Sequence, residues 1–240
     1  MKIAFAGDSH STNVYGKCWS NYLKDDLNCE MVDISCAGVG NEMLIEKIKY
    51  VLDNDNVDYF IFQLTDPSRL VLGLSGNDVE EEYTKYQVVD YYHQNINCYR
   101  ETNKISYNTF KVLENEDYIN KVLNTNYVDV QKFMDNHVLI SDFNLRIKIF
   151  HTLMAIQFLI ESYGKKILFF SWFVDIKEMS KQSKYEHILE RINILDGCVE
   201  DFAKKNKLDK HSDGFHYGSN AHKIIYEEFL SNYIKNFINL

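Results

Sequence analysis

The N-terminal stretch Lys2-Ile3-Ala4-Phe5-Ala6-Gly7-Asp8-Ser9-His10 determines how the rest of the chain is interpreted. An apolar run at its start ends at a glycine, and polar side chains follow at once. A short apolar run bounded by a turn residue is typical of a buried β-strand. In parallel α/β sheets, ligands bind at the carboxyl ends of the strands. We therefore predict that Ser9 lies at a functional edge of a sheet.

Further apolar runs predict three more strands at 30–35, 58–64 and 166–172, and helical patterns occur at about 15–26, 41–52 and 144–163. Strands that alternate with helices predict a mainly parallel sheet in a three-layer α/β/α sandwich. Gly38 and Thr65 follow predicted strands as Ser9 does, so all three should converge on one edge. We expect one domain over 1–240, which ends in a helix from about residue 218.

The segment at about 70–142 interrupts this alternation and is too long for an ordinary loop. We expect an inserted cap or lid, mainly helical, over the edge of the sheet. Aromatic residues are frequent in it, and they either stack on sugar rings or pack the insertion onto the sheet. These residues are Tyr83, Tyr86, Tyr91, Tyr92, Tyr99 and Tyr107.

Composition limits the function classes. A hydrophobic content of 45% over 240 residues is enough for a substantial core. The net charge of -9 argues against nucleic acid as a partner, because phosphate binding needs clustered Lys and Arg. No apolar run predicts a membrane span or a signal peptide. We therefore expect a protein that is cytoplasmic or released without a signal peptide. The sequence does not indicate an oligomeric state.

The cysteines are scattered and form no Cys-x-x-Cys pair, which disfavours a structural zinc site and a disulfide framework. They are Cys18, Cys29, Cys36, Cys98 and Cys198. A metal site around His10, His211 and His222 is also disfavoured, because the downstream motifs of metallophosphoesterases are missing and Gly76-Asn77-Asp78 only distantly resembles one of them. We expect no metal and no cofactor.

A second polar motif, Asp213-Gly214-Phe215-His216, precedes the C-terminal helical pattern. With Ser9 it supplies a hydroxyl, an imidazole and a carboxylate, the three groups that an activated hydroxyl nucleophile needs. Two other interpretations stay open. Ser9 is also typical of a helix N-cap or turn, and His216 of a surface histidine beside a turn glycine.

The two motifs together resemble those of the SGNH (GDSL-type) hydrolases, in which Gly-Asp-Ser follows the first strand and Asp-x-x-His lies near the C-terminus. The resemblance implies an SGNH or flavodoxin-like fold and a serine esterase in which Ser9 is the nucleophile, His216 the base and Asp213 the group that orients it. It also implies an oxyanion hole that includes the backbone N–H of Ser9.

The middle motifs of the family match less closely. Cys36-Ala37-Gly38-Val39-Gly40-Asn41 resembles the glycine block, which places a second oxyanion donor at Gly38, with Gly40 as the competing alignment. Where the family has Gly-x-Asn-Asp, the chain reads Gln63-Leu64-Thr65-Asp66. The side-chain donor of the oxyanion hole is therefore open among Asn41, Thr65 and Gln63, with Asn41 favoured for its amide.

Four further residues are candidates for substrate binding. His10 follows the serine, Arg69 follows the third strand, and Trp172 and Phe173 end the fourth strand. Arg69 is equally consistent with a structural ion pair, and the two aromatic residues with ordinary core packing. The resemblance implies a small-molecule or polysaccharide ester as substrate, and the polar, aromatic insertion favours carbohydrate O-acetyl groups. The alternatives are a lipase or thioesterase of the same fold, or a binding module that has lost turnover.

Overall fold

The computed structural model describes residues 1–67, 69–73, 86–90, 95–101, 110–112, 142–183 and 185–239. Its main sheet has five strands, all parallel, in the order β2-β1-β3-β8-β9. These strands are β1 (Lys2–Ala6), β2 (Glu30–Asp33), β3 (Tyr59–Leu64), β8 (Lys166–Ser171) and β9 (Ile194–Cys198). The residues that follow β1, β2, β3 and β8 therefore share one edge of the sheet.

Helices cover both faces of this sheet. They are α1 (Trp19–Leu27), α2 (Leu44–Asn54), α3 (Asp142–Ser162), α4 (Ile176–Ser183), α5 (Glu186–Leu189), α6 (Val199–Lys205), α7 (Ser219–Ile224) and α8 (Ser231–Phe237), with a π-helical segment, Ile225–Leu230, between the last two. Short 3₁₀ turns lie at Ser9–Ser11, Asn13–Tyr15 and Asn41–Met43. The C-terminal helical pattern is thus one helical run with a wider π turn in its middle.

Successive side chains of a strand point to opposite faces, so the buried strands feed two cores. Phe169 packs in a cluster with residues of α2 and α3, whereas the next residue, Phe170, packs with residues of α1, α6 and the C-terminal helices. This arrangement confirms the predicted three-layer α/β/α sandwich with a parallel sheet.

The described part of the predicted insertion is a second sheet. Strands β4 (Arg69–Gly73), β5 (Tyr86–Asp90), β6 (Asn95–Glu101) and β7 (Phe110–Val112) pair antiparallel in chain order. The expectation of a mainly helical insertion is therefore wrong for these residues, because short segments with β-branched and aromatic residues suit strands better than helices.

Two of the tyrosines proposed as a sugar-stacking wall, Tyr86 and Tyr99, lie directly opposite each other on β5 and β6. The other four, Tyr83, Tyr91, Tyr92 and Tyr107, lie outside the described residues, as does Gly76-Asn77-Asp78. The proposal of a single domain with a cap at about 70–142 stays a prediction. Across the described ranges, no helix is both long and apolar enough to cross a membrane.

Candidate active site

Ser9, His216 and Asp213 form a hydrogen-bonded row at the carboxyl edge of the main sheet. The Oγ of Ser9 lies 2.8 Å from Nε2 of His216, and Nδ1 of the same ring lies 2.6 Å from Oδ2 of Asp213. Ser9 begins a 3₁₀ turn directly after β1, and the other two residues lie in the loop before α7. The structure thus brings together the serine, the imidazole and the carboxylate that the sequence singled out.

The loop that carries Asp213 and His216 is fixed by its own backbone. Oδ1 of Asp213 accepts hydrogen bonds from the backbone N–H groups of Phe215 (2.9 Å) and His216 (3.0 Å), which fold the loop around the carboxylate. A β-bridge between Lys210 and Tyr217 closes the base of the loop. The loop's own hydrogen bonds therefore hold the imidazole of His216 in place.

Side chains beneath this loop support it. The hydroxyl of Tyr217 donates to Glu200 Oε2 at 3.0 Å, and Lys210 Nζ donates to Glu200 Oε1 at 2.9 Å. Glu200 belongs to α6, so the loop is tied to a helix that packs on the sheet.

The carboxylate of Asp213 is suited to orient an imidazole. Partial desolvation alone would raise its pKa, but hydrogen bonds from the His216 ring and from the backbone N–H groups of Phe215 and His216 outweigh this and hold the pKa of Asp213 well below its usual range. Asp213 is therefore ionised at neutral pH, as a group that stabilises a developing imidazolium must be.

The imidazole of His216 lies close to two other rings. Tyr15 stacks on it with centroids 4.2 Å apart, and the tilted ring of His10 lies at 4.9 Å. The pKa of Tyr15 is raised by desolvation and by the nearby charge of Asp213. No local pattern indicates Tyr15, because its position beside His216 depends on a contact between segments that are distant in the sequence.

His10 is part of the packed wall of the site. Its ring is almost fully buried and stacks on Trp172 at 4.4 Å. Burial is the main cause that lowers the pKa of His10 to about 4, so the ring is neutral at neutral pH. A neutral, buried His10 next to His216 is a packing partner, and its proposed contact with substrate stays a prediction.

Glycines let the backbone approach closely around Ser9. A Cβ on Gly7 would lie only 2.5 Å from Oγ of Ser11, so no other residue fits there without a shift. Gly38 has φ of 70°, in the left-handed region that glycine adopts most readily. Within the described ranges, nothing accepts from the backbone N–H groups of Ser9, Gly38 or Gly40. These donors are thus available to an oxyanion, and the choice between Gly38 and Gly40 stays open.

Asn41 and Thr65 are joined to each other. Oδ1 of Asn41 accepts the backbone N–H of Thr65 at 2.8 Å, and Nδ2 of Asn41 lies 3.4 Å from the Thr65 carbonyl oxygen. The Asn41 carboxamide is therefore anchored through its oxygen, and its NH₂ group retains a hydrogen to donate. The hydroxyl oxygen of Thr65 is buried and has no partner in the described part of the chain.

Asp8 of the Gly-Asp-Ser motif is fully buried and points away from the reactive row. Its two carboxylate oxygens are bound by Gln63 and by Arg69, two residues of the segment in which the third family motif is altered. Gln63 thus faces Asp8 and Ser11. The structure shows Arg69 in the structural ion pair that the sequence left open.

The remaining candidates lie on either side of His10. Trp172 is 0% exposed and belongs to the core, which favours the packing interpretation of this residue. Phe173 is half-buried, with its ring 5.4 Å from that of His10, so it is the better placed of the two to line a pocket. His211 is exposed, whereas His222 is buried 5.6 Å from Trp172. The described residues contain no cluster of three metal-ligating side chains.

The fold is similar to that of a solved esterase. Esterase EstA from Pseudoalteromonas sp. is 12% identical, with a TM-score of 0.52 over 100% of this chain and 99% of that one. A putative SGNH hydrolase from Slackia heliotrinireducens (10% identity, TM-score 0.47, 99% and 98% covered) and the acetylxylan esterase Axe2 from Geobacillus stearothermophilus (12% identity, TM-score 0.48, 100% and 94% covered) are also similar.

No protein-family model and no curated protein matches the chain. The similarity to EstA at this low identity establishes the fold alone. The chain shares with EstA the α/β/α fold with a parallel sheet that the sequence predicts.

Proposed function

We propose that this chain is a serine esterase of the SGNH type that acts through an acyl-enzyme. The observation that carries the proposal is the row Ser9–His216–Asp213, with contacts of 2.8 and 2.6 Å. A serine hydroxyl is almost wholly protonated near neutral pH, so attack on a carbonyl requires a base within hydrogen-bond distance. His216 meets that requirement without any movement of the loop.

In the proposed reaction, Nε2 of His216 takes the proton of Ser9 while Oγ of Ser9 attacks the ester carbonyl carbon. Asp213 keeps the other ring nitrogen protonated and stabilises the imidazolium. The oxyanion accepts from the backbone N–H groups of Ser9 and Gly38, and from the Asn41 amide. His216 then returns the proton to the leaving alcohol, and a water molecule, activated by the same base, releases the acid and frees Ser9.

For the substrate we propose an O-acetyl group on a carbohydrate. The support comes from the sequence: residues 70–142 are polar and aromatic, and they lack the long apolar stretch that a lipid-binding cap requires. Aromatic faces pack well on sugar rings. A lipase or thioesterase of the same fold is the alternative, and the length of the preferred acyl chain distinguishes them.

The test compares hydrolysis of p-nitrophenyl acetate, p-nitrophenyl palmitate and an acetylated xylo-oligosaccharide by the wild-type chain and by Ser9→Ala. We expect turnover of the two acetyl esters, a preference for the oligosaccharide, and loss of activity in Ser9→Ala at an unchanged thermal midpoint. Ser162→Ala, at the exposed end of α3, is the matched control. An active Ser9→Ala protein would reject the nucleophile, and an inactive but folded wild type would favour the binding module.

A further inference from the structure

We propose that Arg69 is a positioning residue for this site: its guanidinium ties the loop that carries the nucleophile to the glycine loop that supplies the oxyanion donor. The inference rests on the proposed function and extends it to a residue outside the row Ser9–His216–Asp213. Nη1 of Arg69 lies 2.8 Å from Oδ2 of Asp8 and donates to the carbonyl oxygen of Val39 at 3.1 Å. One nitrogen thus bridges two loops.

Each of these partners adjoins a reactive group. Asp8 precedes Ser9, and its Oδ1 also accepts from the backbone N–H of His10 at 3.0 Å. The carboxylate therefore fixes the backbone on both sides of the serine. Val39 lies between Gly38 and Gly40, the two alternatives for the backbone oxyanion donor. A shift of Arg69 therefore changes the separation of the nucleophile and the donor, the quantity that an oxyanion hole must keep fixed.

Burial makes this connection strong. Asp8 has no exposed surface and Arg69 has 8%. Burial alone would raise the pKa of Asp8, but the charge of Arg69, together with the contributions of His10 and the hydrogen bond from Gln63, outweighs it and lowers the pKa, so the carboxylate is ionised. An ionised carboxylate in such a place needs a charged partner and complete hydrogen bonding. Gln63 completes the set, because its Nε2 donates to Oδ1 of Asp8 at 2.8 Å.

Arg69 is itself anchored from outside the two loops. It is the first residue of β4, and its carbonyl oxygen accepts a hydrogen bond from Lys148 of α3. Lys148 also pairs with Glu42 at 3.1 Å, just beyond the glycine loop. The segment Gln63–Arg69 lacks the asparagine of the usual third motif, and the side chains of Gln63 and Arg69 instead hold the first two motifs together.

This role differs from the substrate contact suggested by the sequence, and kinetics separates the two. A substrate-binding arginine contributes mainly to KM, and only for substrates that reach it. A positioning arginine contributes to kcat for every substrate and to the rate at which a small fluorophosphonate labels Ser9. Misplacement by about 1 Å is enough to reduce a rate by on the order of a hundredfold.

The experiment measures kcat, KM and the fluorophosphonate labelling rate for wild type, Arg69→Ala and Arg69→Lys, with the exposed Arg191→Ala as control. We expect Arg69→Ala to lose about a hundredfold in kcat and in labelling rate, with KM nearly unchanged. Arg69→Lys should be intermediate, because one ammonium does not reproduce the fixed fork of a guanidinium. Millimolar guanidinium ion should restore part of the activity of Arg69→Ala, and ammonium at equal ionic strength should not.

Wild-type kcat and labelling in either Arg69 variant, or a change confined to KM, overturns the proposal while leaving the esterase assignment intact. Absence of labelling in the wild type instead overturns the proposed function together with this inference. If Arg69→Ala does not fold, Arg69→Lys and the charge-free pair Asp8→Asn with Arg69→Met give the same kcat and labelling readouts.

Discussion

The ring of Tyr15 stacks on the imidazole of His216, with centroids 4.2 Å apart and planes 20° from parallel. The face of an aromatic ring attracts a cation, and in the proposed reaction the imidazole becomes cationic as it takes the serine proton. Desolvation and the charge of Asp213 also raise the pKa of the Tyr15 hydroxyl. Tyr15 therefore interacts with both groups that share the developing charge.

We predict that Tyr15→Leu lowers kcat about five- to tenfold with little change in KM, because the lost attraction acts mainly in the transition state. Tyr15→Phe should retain most of the activity, since it keeps the ring and loses only the hydroxyl. Steady-state kinetics on p-nitrophenyl acetate measures both, and the exposed neighbour Val14→Ala is the control. Equal losses in Tyr15→Leu and Tyr15→Phe would assign the effect to the hydroxyl.

The carboxamide of Asn41 allows its two functions to be separated. Asn41→Asp keeps the oxygen that accepts from the Thr65 backbone and replaces the NH₂ group, which is proposed to donate to the oxyanion, with a carboxylate oxygen that cannot donate and whose charge opposes an oxyanion. We predict that kcat falls about a hundredfold or more in Asn41→Asp and in Asn41→Ala, with a small change in KM. Thr65→Val should have a weaker effect, and a wild-type kcat in Asn41→Asp would return the donor role to Thr65 or Gln63.

Two buried histidines predict how stability depends on pH. Burial lowers the pKa of His10 and of His222 from 6.5 to about 4, so the unfolded chain binds protons in this interval that the folded chain does not. The folded state is then fully stabilised above pH 6.5 and loses this stability as the pH falls towards 4. We expect the thermal midpoint to drop by on the order of 5–10 °C between about pH 6.5 and 5.

His222→Gln should reduce this drop by about half, because one of the two titrating groups is gone. Differential scanning fluorimetry at several pH values measures the effect, and the exposed His151→Gln serves as the matched control. A thermal midpoint that does not change between about pH 6.5 and 5 would show that His10 and His222 take up protons in the folded chain as readily as in the unfolded chain.

Much of the main sheet could be predicted from local pattern. Strands β1, β3 and β8 are continuous apolar runs, and the structure places them within a residue or two of the predicted bounds. Strand β9 was missed, because Asp196 and Gly197 interrupt its pattern and Gly197 has φ of 78°. The four strands of the second sheet were missed because short, half-polar segments do not differ enough from helix or loop in a single sequence.

Some residues of the candidate site could likewise be predicted from local pattern, and others could not. Ser9, Asp213 and His216 occur in short motifs whose spacing is visible in the sequence. Tyr15 and the bridge made by Arg69 depend on contacts between distant segments, which no local pattern encodes. The sequence proposed Arg69 for its position after a strand, and only the fold shows which carboxylate it meets.

The hydrogen bond between Ser9 and His216 joins residues 207 positions apart. During synthesis the serine therefore emerges well before its proposed base. In the proposed reaction a serine without a base does not attack esters, so a chain whose C-terminal loop has not yet docked is inactive. The onset of hydrolysis in a refolding experiment consequently times one event, the arrival of the C-terminal loop beside the first strand, and separates it from the earlier collapse of the core.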